Sequence, residues 1–150
     1  VALTVRLNYS LTPDLSVQLY GQPFVSAGKY SRFKAVTDPK TRVWADRYHV
    51  FDESEIAYDE ASGRWSVDEN ADGAADFSFG TPDFNFLQFR SNLVVRWEYR
   101  PGSALFLVWS QGRTGYDSLG DFRFGRDFGN LFDVRPDNVF LIKFSYGFQL

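Results

Sequence analysis

The sequence predicts an all-β fold, an antiparallel meander of long strands that forms a transmembrane β-barrel or a C-terminal segment of one. Three observations favour this fold. Apolar and polar residues alternate over five long segments, which places them on opposite faces of a strand. Aromatic residues make up 19% of the 150 residues, with 16 Phe, 8 Tyr and 4 Trp. The connections between the segments alternate between short and long, as they do in barrels of outer membranes.

The first two predicted strands cover residues 2–11 and 15–24, and a tight turn joins them. Apolar residues occupy the odd positions from Leu3 to Leu11 and from Leu15 to Leu19, and polar residues occupy most of the even positions between them. Pro13 and Asp14 stand between the segments, and both residue types are favoured in tight turns. These residues therefore predict the first hairpin of the meander.

A long outer loop is expected from about residue 25 to 88. Within it, segments 29–36 and 42–51 are expected to extend strands beyond the membrane. Segments 55–58 and 64–67 are predicted to form a β-hairpin with Gly63 in its turn.

The third and fourth predicted strands cover residues 89–99 and 103–112. Arg100, Pro101 and Gly102 between them form the second tight turn. A second long outer loop is expected from about 113 to 137, ordered by packing of its phenylalanines and without any helix. Both tight turns then lie on one side of the membrane and both long loops on the other.

The fifth predicted strand runs from residue 138 to 150. Its large apolar residues stand at every second position: Phe140, Ile142, Phe144, Tyr146, Phe148 and Leu150. A tilted strand that crosses a bilayer needs about ten residues with one apolar face. Residues 1–150 are therefore expected to form a single β-barrel segment.

Five strands leave two open edges, and a bilayer does not tolerate unpaired backbone groups. The partners implied are outer-membrane lipid together with the remaining strands of a larger barrel or other protein subunits. The chain begins with Val and contains no Met, so we expect a processed chain or a piece of a longer one.

The composition excludes several functions. There is no Cys, hence no disulfide framework and no thiolate chemistry. A net charge of −3 is unsuited to nucleic-acid binding. His49 is the only histidine, and no nucleophile motif accompanies it. We therefore expect neither a nucleic-acid partner nor an enzyme.

Residues 52–76 contain nine acids and one base, and their end resembles a calcium-binding loop. Ca²⁺ takes six to eight oxygen ligands, which carboxylates at alternate positions around a glycine supply. The candidate ligands are Asp68, Asn70, Asp72, Ala74 through its carbonyl, and Asp76. An EF-hand has Glu at the twelfth position of the loop, where this chain has Phe79. The alternative is a solvated acidic turn.

Two further sets of side chains are candidates for binding or passage. Trp44, Tyr48 and Trp65 lie in the first long loop, where aromatic faces could stack on a glycan. Their alternative is a small aromatic core around the hairpin. On the polar faces of the strands, the charged residues would line a pore or fill a plugged interior by pairing with one another: Arg6, Arg96, Glu98 and Lys143.

Segments 86–113 and 138–146 resemble the C-terminal β-barrel of outer-membrane proteins described as carbohydrate-binding family 9 domain-containing. Residues 15–24, followed by a Gly-Lys-Tyr segment, are also similar to that family. The resemblance implies a barrel in the outer membrane of a bacterial cell, usually preceded by a soluble carbohydrate-binding-like domain. It supplies no catalytic residues.

The expected function is that of an outer-membrane β-barrel component for transport, uptake or surface display, with a candidate calcium-binding outer loop. Two other classes remain open. One is a soluble β-sandwich or jelly-roll module that binds a glycan. The other is a surface-assembly protein whose strand edges pair with neighbouring copies.

Overall fold

The computed structural model describes residues 1–148, which form an all-β fold with antiparallel sheets, as predicted. The strands are β1 (Val5–Thr12), β2 (Leu15–Gly28), β3 (Lys34–Val36), β4 (Tyr48–Val50), β5 (Ile56–Asp59), β6 (Arg64–Val67), β7 (Phe77–Gly80), β8 (Phe84–Arg100), β9 (Ser103–Asp117) and β10 (Asp137–Ser145). A 3-10 helical turn spans Trp44–Arg47, and one α-helix, α1, spans Phe124–Asp133.

The five predicted long strands form one sheet in the order β1-β2-β8-β9-β10. The pairs β1–β2, β8–β9 and β9–β10 are antiparallel. Thr12 pairs with Leu15 and Arg100 with Ser103, so each predicted tight turn contains two residues. The sheet is open, with β1 and β10 at its edges.

Three of these strands are longer than the sequence indicates. β2 has 14 residues, β8 has 17 and β9 has 15. The long connections therefore shrink to residues 29–83 and 118–136. The added residues include Val25 and Phe86, whose apolar side chains extend the strand pattern into what was predicted as loop.

The predicted strand 138–150 is too long. β10 ends at Ser145, which pairs with Ala104, and β9 begins at Ser103. Residues 146–148 therefore have no ladder to join, and the backbone amide of Gly147 instead donates to the Ser103 hydroxyl at 3.1 Å. Gln149 and Leu150 lie outside the described residues.

The expectation of no helix is wrong, because α1 forms within the second long connection. Its sequence places Phe124, Phe128, Leu131 and Phe132 at helical spacing, which is an apolar stripe. Leu131 is buried with Val25 and Leu87, and Phe128 packs against this cluster. Gly125 and Gly129 weaken the local helix signal, and the burial of Leu131 together with the packing of Phe128 compensates for them.

The chain divides into two compact units. One contains residues 1–27, 85–117 and 121–150, with the five-stranded sheet and α1. The other contains residues 28–84 and 118–120, with two small sheets. Among residues 1–148, β3 and β4 pair only with each other, so segments 29–36 and 42–51 do not extend the long strands. The predicted hairpin is confirmed as β5 and β6, and β7 adds a third strand that the sequence did not indicate.

Candidate functional site

One face of the five-stranded sheet is lined by large apolar side chains. Directly opposed residues of antiparallel strands share a face, and three rows cross β8, β9 and β10. The rows are Leu93–Trp109–Phe140, Val95–Leu107–Ile142 and Trp97–Leu105–Phe144. Trp97, Leu107 and Phe144 are 49%, 43% and 65% exposed. We call this surface the apolar face.

Strands β1 and β2 continue the apolar face. Leu7 pairs with Leu19, and Tyr9 with Val17. Leu15 lies beside Val95 and Trp97 in a shallow depression of the same surface. Apolar side chains of all five strands therefore lie on one side of the sheet.

Polar groups bound the apolar face at both ends. Next to the row that contains Trp109, on the side away from the Pro101–Gly102 turn, lies the polar row Ser91–Gln111–Asn138. The indole Nε1 of Trp109 donates to Asn138 Oδ1 at 2.9 Å. At the other end, Arg100 beside the tight turn donates from Nη1 to the Tyr146 hydroxyl at 2.8 Å. Trp109 and Tyr146 thus have one apolar side and one hydrogen-bonded polar group at the two limits of the face.

The opposite face of the sheet carries the predicted pore-lining residues. Arg96 and Glu98 form an ion pair of 2.5 Å. Lys143 lies in the same row as Arg96, with Phe106 between them, and its Nζ is 5.6 Å from the Phe106 ring centroid. The structure therefore groups these three charges on β8 and β10.

Arg6 lies apart from that group, because β1 and β10 are opposite edges of the sheet. Its guanidinium lies 5.6 Å from the ring centroid of Tyr20 on β2. Around it, Asn8 pairs with Gln18, and Tyr20 donates its hydroxyl hydrogen to Gln22 Oε1 at 2.7 Å. This side of the sheet is therefore polar across β1 and β2 as well.

The three predicted ligand-binding aromatics do not form one cluster. Trp44 and Tyr48 contact each other with ring centroids 6.1 Å apart, and Trp44 is 68% exposed. Trp65 belongs to another group, with centroid distances of 5.0 Å to Phe33 and 4.9 Å to Tyr58. Trp65 lies in β6 of the hairpin, and Phe33 directly precedes β3. The glycan assignment of these residues stays a prediction.

The predicted calcium ligands lie in the connection between β6 and β7. Both carboxylate oxygens of Asp68 accept hydrogen bonds from backbone amides, from Asp72 at 3.2 Å and from Gly73 at 2.7 Å. Asp76 Oδ2 accepts from the amide of Glu69 at 2.7 Å. Within residues 1–148 no group of three or more His, Cys, Asp or Glu side chains is arranged to hold a metal ion. Calcium binding therefore stays a prediction.

The sequence did not indicate a buried polar network that joins α1 to β8. Asp127 is fully buried, and its Oδ1 accepts from Asn85 Nδ2 at 3.0 Å and from Arg126 Nε at 2.7 Å. Its Oδ2 accepts from the amide of Arg123 at 2.8 Å. Arg126 also donates to Asp121 Oδ1 at 3.0 Å. The available sequence signal for this network was the acid Asp127, which lies next to Arg126 and four residues after Arg123. Its contact with Asn85 exists only because the helix forms.

Burial acts to raise the pKa of Asp127, but hydrogen bonds from Arg126, Arg123 and Asn85 outweigh it and hold that pKa below the usual 3.8. Hydrogen bonds from Arg126 and Arg123 likewise lower the pKa of Asp121. Both carboxylates are therefore ionised at neutral pH and fix the start of α1 on the sheet.

Neither of the two helical segments in residues 1–148 combines the length and the hydropathy that a membrane-crossing helix requires.

Comparison with known proteins places the chain in a family. A family model described as a domain of unknown function, DUF5916, matches residues 1–148. No curated protein and no solved structure matches the chain. The description of the family mentions neither a barrel nor carbohydrate binding. Because the match covers nearly the whole sequence, the chain belongs to the DUF5916 family.

Proposed function

We propose that the five-stranded sheet is part of the wall of a transmembrane β-barrel in a bacterial outer membrane. Its role would be transport, uptake or surface display, without catalysis. The observation that carries the proposal is the apolar face, where side chains of all five strands are exposed side by side. An exposed apolar patch of this extent marks contact with a partner or a membrane.

The chemistry of the two faces supports lipid as the partner. A barrel strand alternates apolar residues toward lipid with polar residues toward the lumen. Here Leu107 and Ile142 stand on one face, while Arg96, Glu98 and Lys143 stand on the other. Under the proposal, these charges and Arg6 line the lumen. A soluble sandwich would instead bury the apolar face under a second layer, whereas Ile142 is 72% exposed.

The length of the apolar face also fits a bilayer. It is bounded on β8 by the polar row at Ser91 and by the turn after Arg100. At ~3.3 Å per residue this distance is about 30 Å along the strand, or roughly 23 Å of height at a tilt of about 40°. The apolar band of outer-membrane barrels is ~25 Å tall.

The open edges of the sheet require further strands. β1 and β10 are exposed along their full lengths, and within residues 1–148 each has a strand neighbour on one side only. Lipid cannot satisfy the backbone groups of the other side. Under the proposal, β1 and β10 pair with further strands of a larger barrel or with strands of other subunits.

A pair of adjacent substitutions on β10 tests the proposal. Ile142 and Leu141 are aliphatic, exposed and on opposite faces of the sheet. An arginine toward lipid near the bilayer centre costs about 2–4 kcal/mol. We therefore expect Ile142→Arg to reduce the fraction of chain that inserts into phosphatidylcholine vesicles, and Leu141→Arg to leave most of it inserted.

The measurement is co-flotation of the refolded chain with vesicles, followed by protease protection. A soluble module would not bind the vesicles, either as the unmodified chain or as one of the two variants. An assembly protein would bind copies of itself with no vesicle required. Equal insertion of both variants would rule out a lipid-facing role for Ile142.

The proposal retains calcium as a candidate ligand of residues 68–76. It is motivated by the spacing of Asp68, Asn70 and Asp72 around Gly73. Calorimetric titration of the chain with Ca²⁺ should give heat that Asp72→Ala abolishes. Absence of heat with the unmodified chain would remove calcium from the proposal and leave the barrel unaffected.

A further inference from the structure

The unit formed by residues 28–84 and 118–120 contains a cavity of about 590 Å³. Pockets for small organic ligands measure roughly 300–1,000 Å³ and are mostly apolar. The wall of this cavity includes Phe33, Phe51, Ile56 and Trp65. Its size and lining therefore suit a small ligand with an apolar body.

Aromatic contacts hold that wall in place. The Trp65 ring lies 5.0 Å from Phe33 and 4.9 Å from Tyr58, measured between centroids. Phe33 also contacts Phe79 at 5.1 Å in an edge-to-face arrangement. Rings locked by such contacts lose little side-chain freedom when a ligand binds, which favours binding.

Two cations stand at the cavity without an acidic partner. Lys29 and Arg32 both line it, and none of the ion pairs found between residues 1 and 148 uses either side chain. Asp83 also lines the cavity, but its Oδ1 already accepts a hydrogen bond from the Tyr30 amide at 2.7 Å. That hydrogen bond does not cancel the charge of Asp83, so the three charged residues of the lining have a formal sum of +1, although nearby residues 52–76 are strongly acidic.

Arg32 has a left-handed backbone conformation, with φ of 57°. A residue with a side chain is disfavoured there by roughly 1–2 kcal/mol. Strained residues of this kind occur preferentially at ligand-binding positions. The strain at Arg32 is thus an observation independent of the cavity, and it falls on one of the two unpaired cations.

We propose that this cavity binds a small organic anion, with an apolar ring against Trp65 and Phe33 and a carboxylate against Lys29 and Arg32. The apolar wall supplies most of the buried contact, and the two cations select the charge. The proposal concerns residues outside the five-stranded sheet and does not depend on the barrel.

Calorimetric titration with naphthoate tests the charge selection, and naphthamide is the neutral ligand of matched shape. We expect naphthoate to bind the full chain at least tenfold more tightly than naphthamide. The double variant Lys29→Gln with Arg32→Asn should lose most of that preference. Asn tolerates a positive φ, so this change removes the charge without adding strain.

Lys40→Gln is the matched control, because Lys40 is exposed and does not line the cavity. It should bind naphthoate as the unmodified chain does, and it also corrects for partition of the ligand into detergent. Trp65→Leu provides a second variant and should weaken both ligands.

Equal affinity for the two ligands, unchanged binding in the double variant, or no heat with naphthoate at millimolar concentration would overturn the proposal. Binding of a neutral disaccharide such as maltose without binding of naphthoate would also overturn it. That result would favour the glycan assignment of Trp65.

Discussion

At the scale of single residues, charge is concentrated where α1 meets β8. Asp127 has no exposed surface, yet Asn85, Arg126 and the amide of Arg123 all donate to it. A buried carboxylate is stable only when it is paired and hydrogen-bonded in this way. The network therefore fixes the position of α1 more narrowly than its apolar stripe alone would.

Acid should weaken this attachment. The folded pKa of Asp127 lies below the usual 3.8 because the hydrogen bonds outweigh burial, which acts in the opposite direction. A carboxylate whose pKa is lower in the folded than in the unfolded state stabilises the fold at pH values above its unfolded pKa. This contribution is lost as the pH falls through its folded pKa. We expect the free energy of unfolding to decrease as the pH is lowered below about 4.

The variant Asp127→Asn should lose about 2 kcal/mol at pH 7, because the hydrogen bonds from Arg126 and from the Arg123 amide would no longer reach a charged acceptor, while Arg126 keeps its ion pair with Asp121. Its stability should also depend less on pH below 4. Equilibrium unfolding in urea at pH 3 and pH 7 measures both effects. Asp133→Asn, at the exposed end of the same helix, is the control and should change stability much less. A variant as stable as the unmodified chain at pH 7 would contradict the role of Asp127.

At the scale of elements, the alternation of apolar and polar residues determines where strands form, and the paired strand determines where each strand ends. β8 and β9 are paired from Asn85 to Asp117 and close at the Pro101–Gly102 turn. Gly102 has φ of 75°, which glycine adopts without strain. β10 pairs with β9 as far as Ala104, one residue after β9 begins. The apolar alternation after Ser145 therefore finds no partner strand and does not continue the ladder.

Two glycine-to-alanine substitutions should have opposite effects on stability. A Cβ at either Gly102 or Gly125 would meet no atom within 4 Å, so only the backbone conformation differs. Gly102→Ala should lower the free energy of unfolding by about 1 kcal/mol because of its positive φ. Gly125→Ala should raise it by about 0.5–1 kcal/mol, because it lies within α1 and alanine favours a helix.

Equilibrium unfolding of the two variants in one detergent gives the comparison. The close approach at Gly115, where a Cβ would lie 2.8 Å from Val134 Cγ2, makes Gly115→Ala a third variant that should also destabilise. Stabilisation by Gly102→Ala would contradict the turn assignment.

At the scale of the whole molecule, a 150-residue chain with few fully buried side chains exposes the apolar face. Only Val25, Val67, Leu87, Ala104 and Leu131 form the buried apolar set among the described residues. Such a chain cannot hide its apolar face from water by its own folding. Its dispersion should therefore depend on amphiphile.

Sedimentation with and without detergent checks this expectation. We expect the chain to remain dispersed in detergent micelles and to aggregate when detergent is removed. Incorporation into a closed barrel should also give mobility on a gel that changes on heating. A monodisperse monomer in the absence of detergent would contradict the proposed lipid contact.

The sequence alone determined the class and the order of the large sheet. Alternation at Leu3 to Leu11 and Phe140 to Phe144 has a period of two, which only a strand places on one face. Pro13 and the Pro101–Gly102 pair located the tight turns, because their backbone preferences are local. Both features depend on neighbours in sequence, and a pattern read along the chain is sufficient for them.

The tertiary structure decided what depends on distant residues. The helix α1 is stabilised by the packing of Phe128 and Leu131 against Val25 and Leu87. Asp127 and Asn85 are 42 positions apart and meet only through the fold. Lys29, Arg32 and Trp65 share a cavity because the small sheets bring them together. Burial, charge pairing and cavities arise from contacts across the chain, and residue order does not specify those contacts.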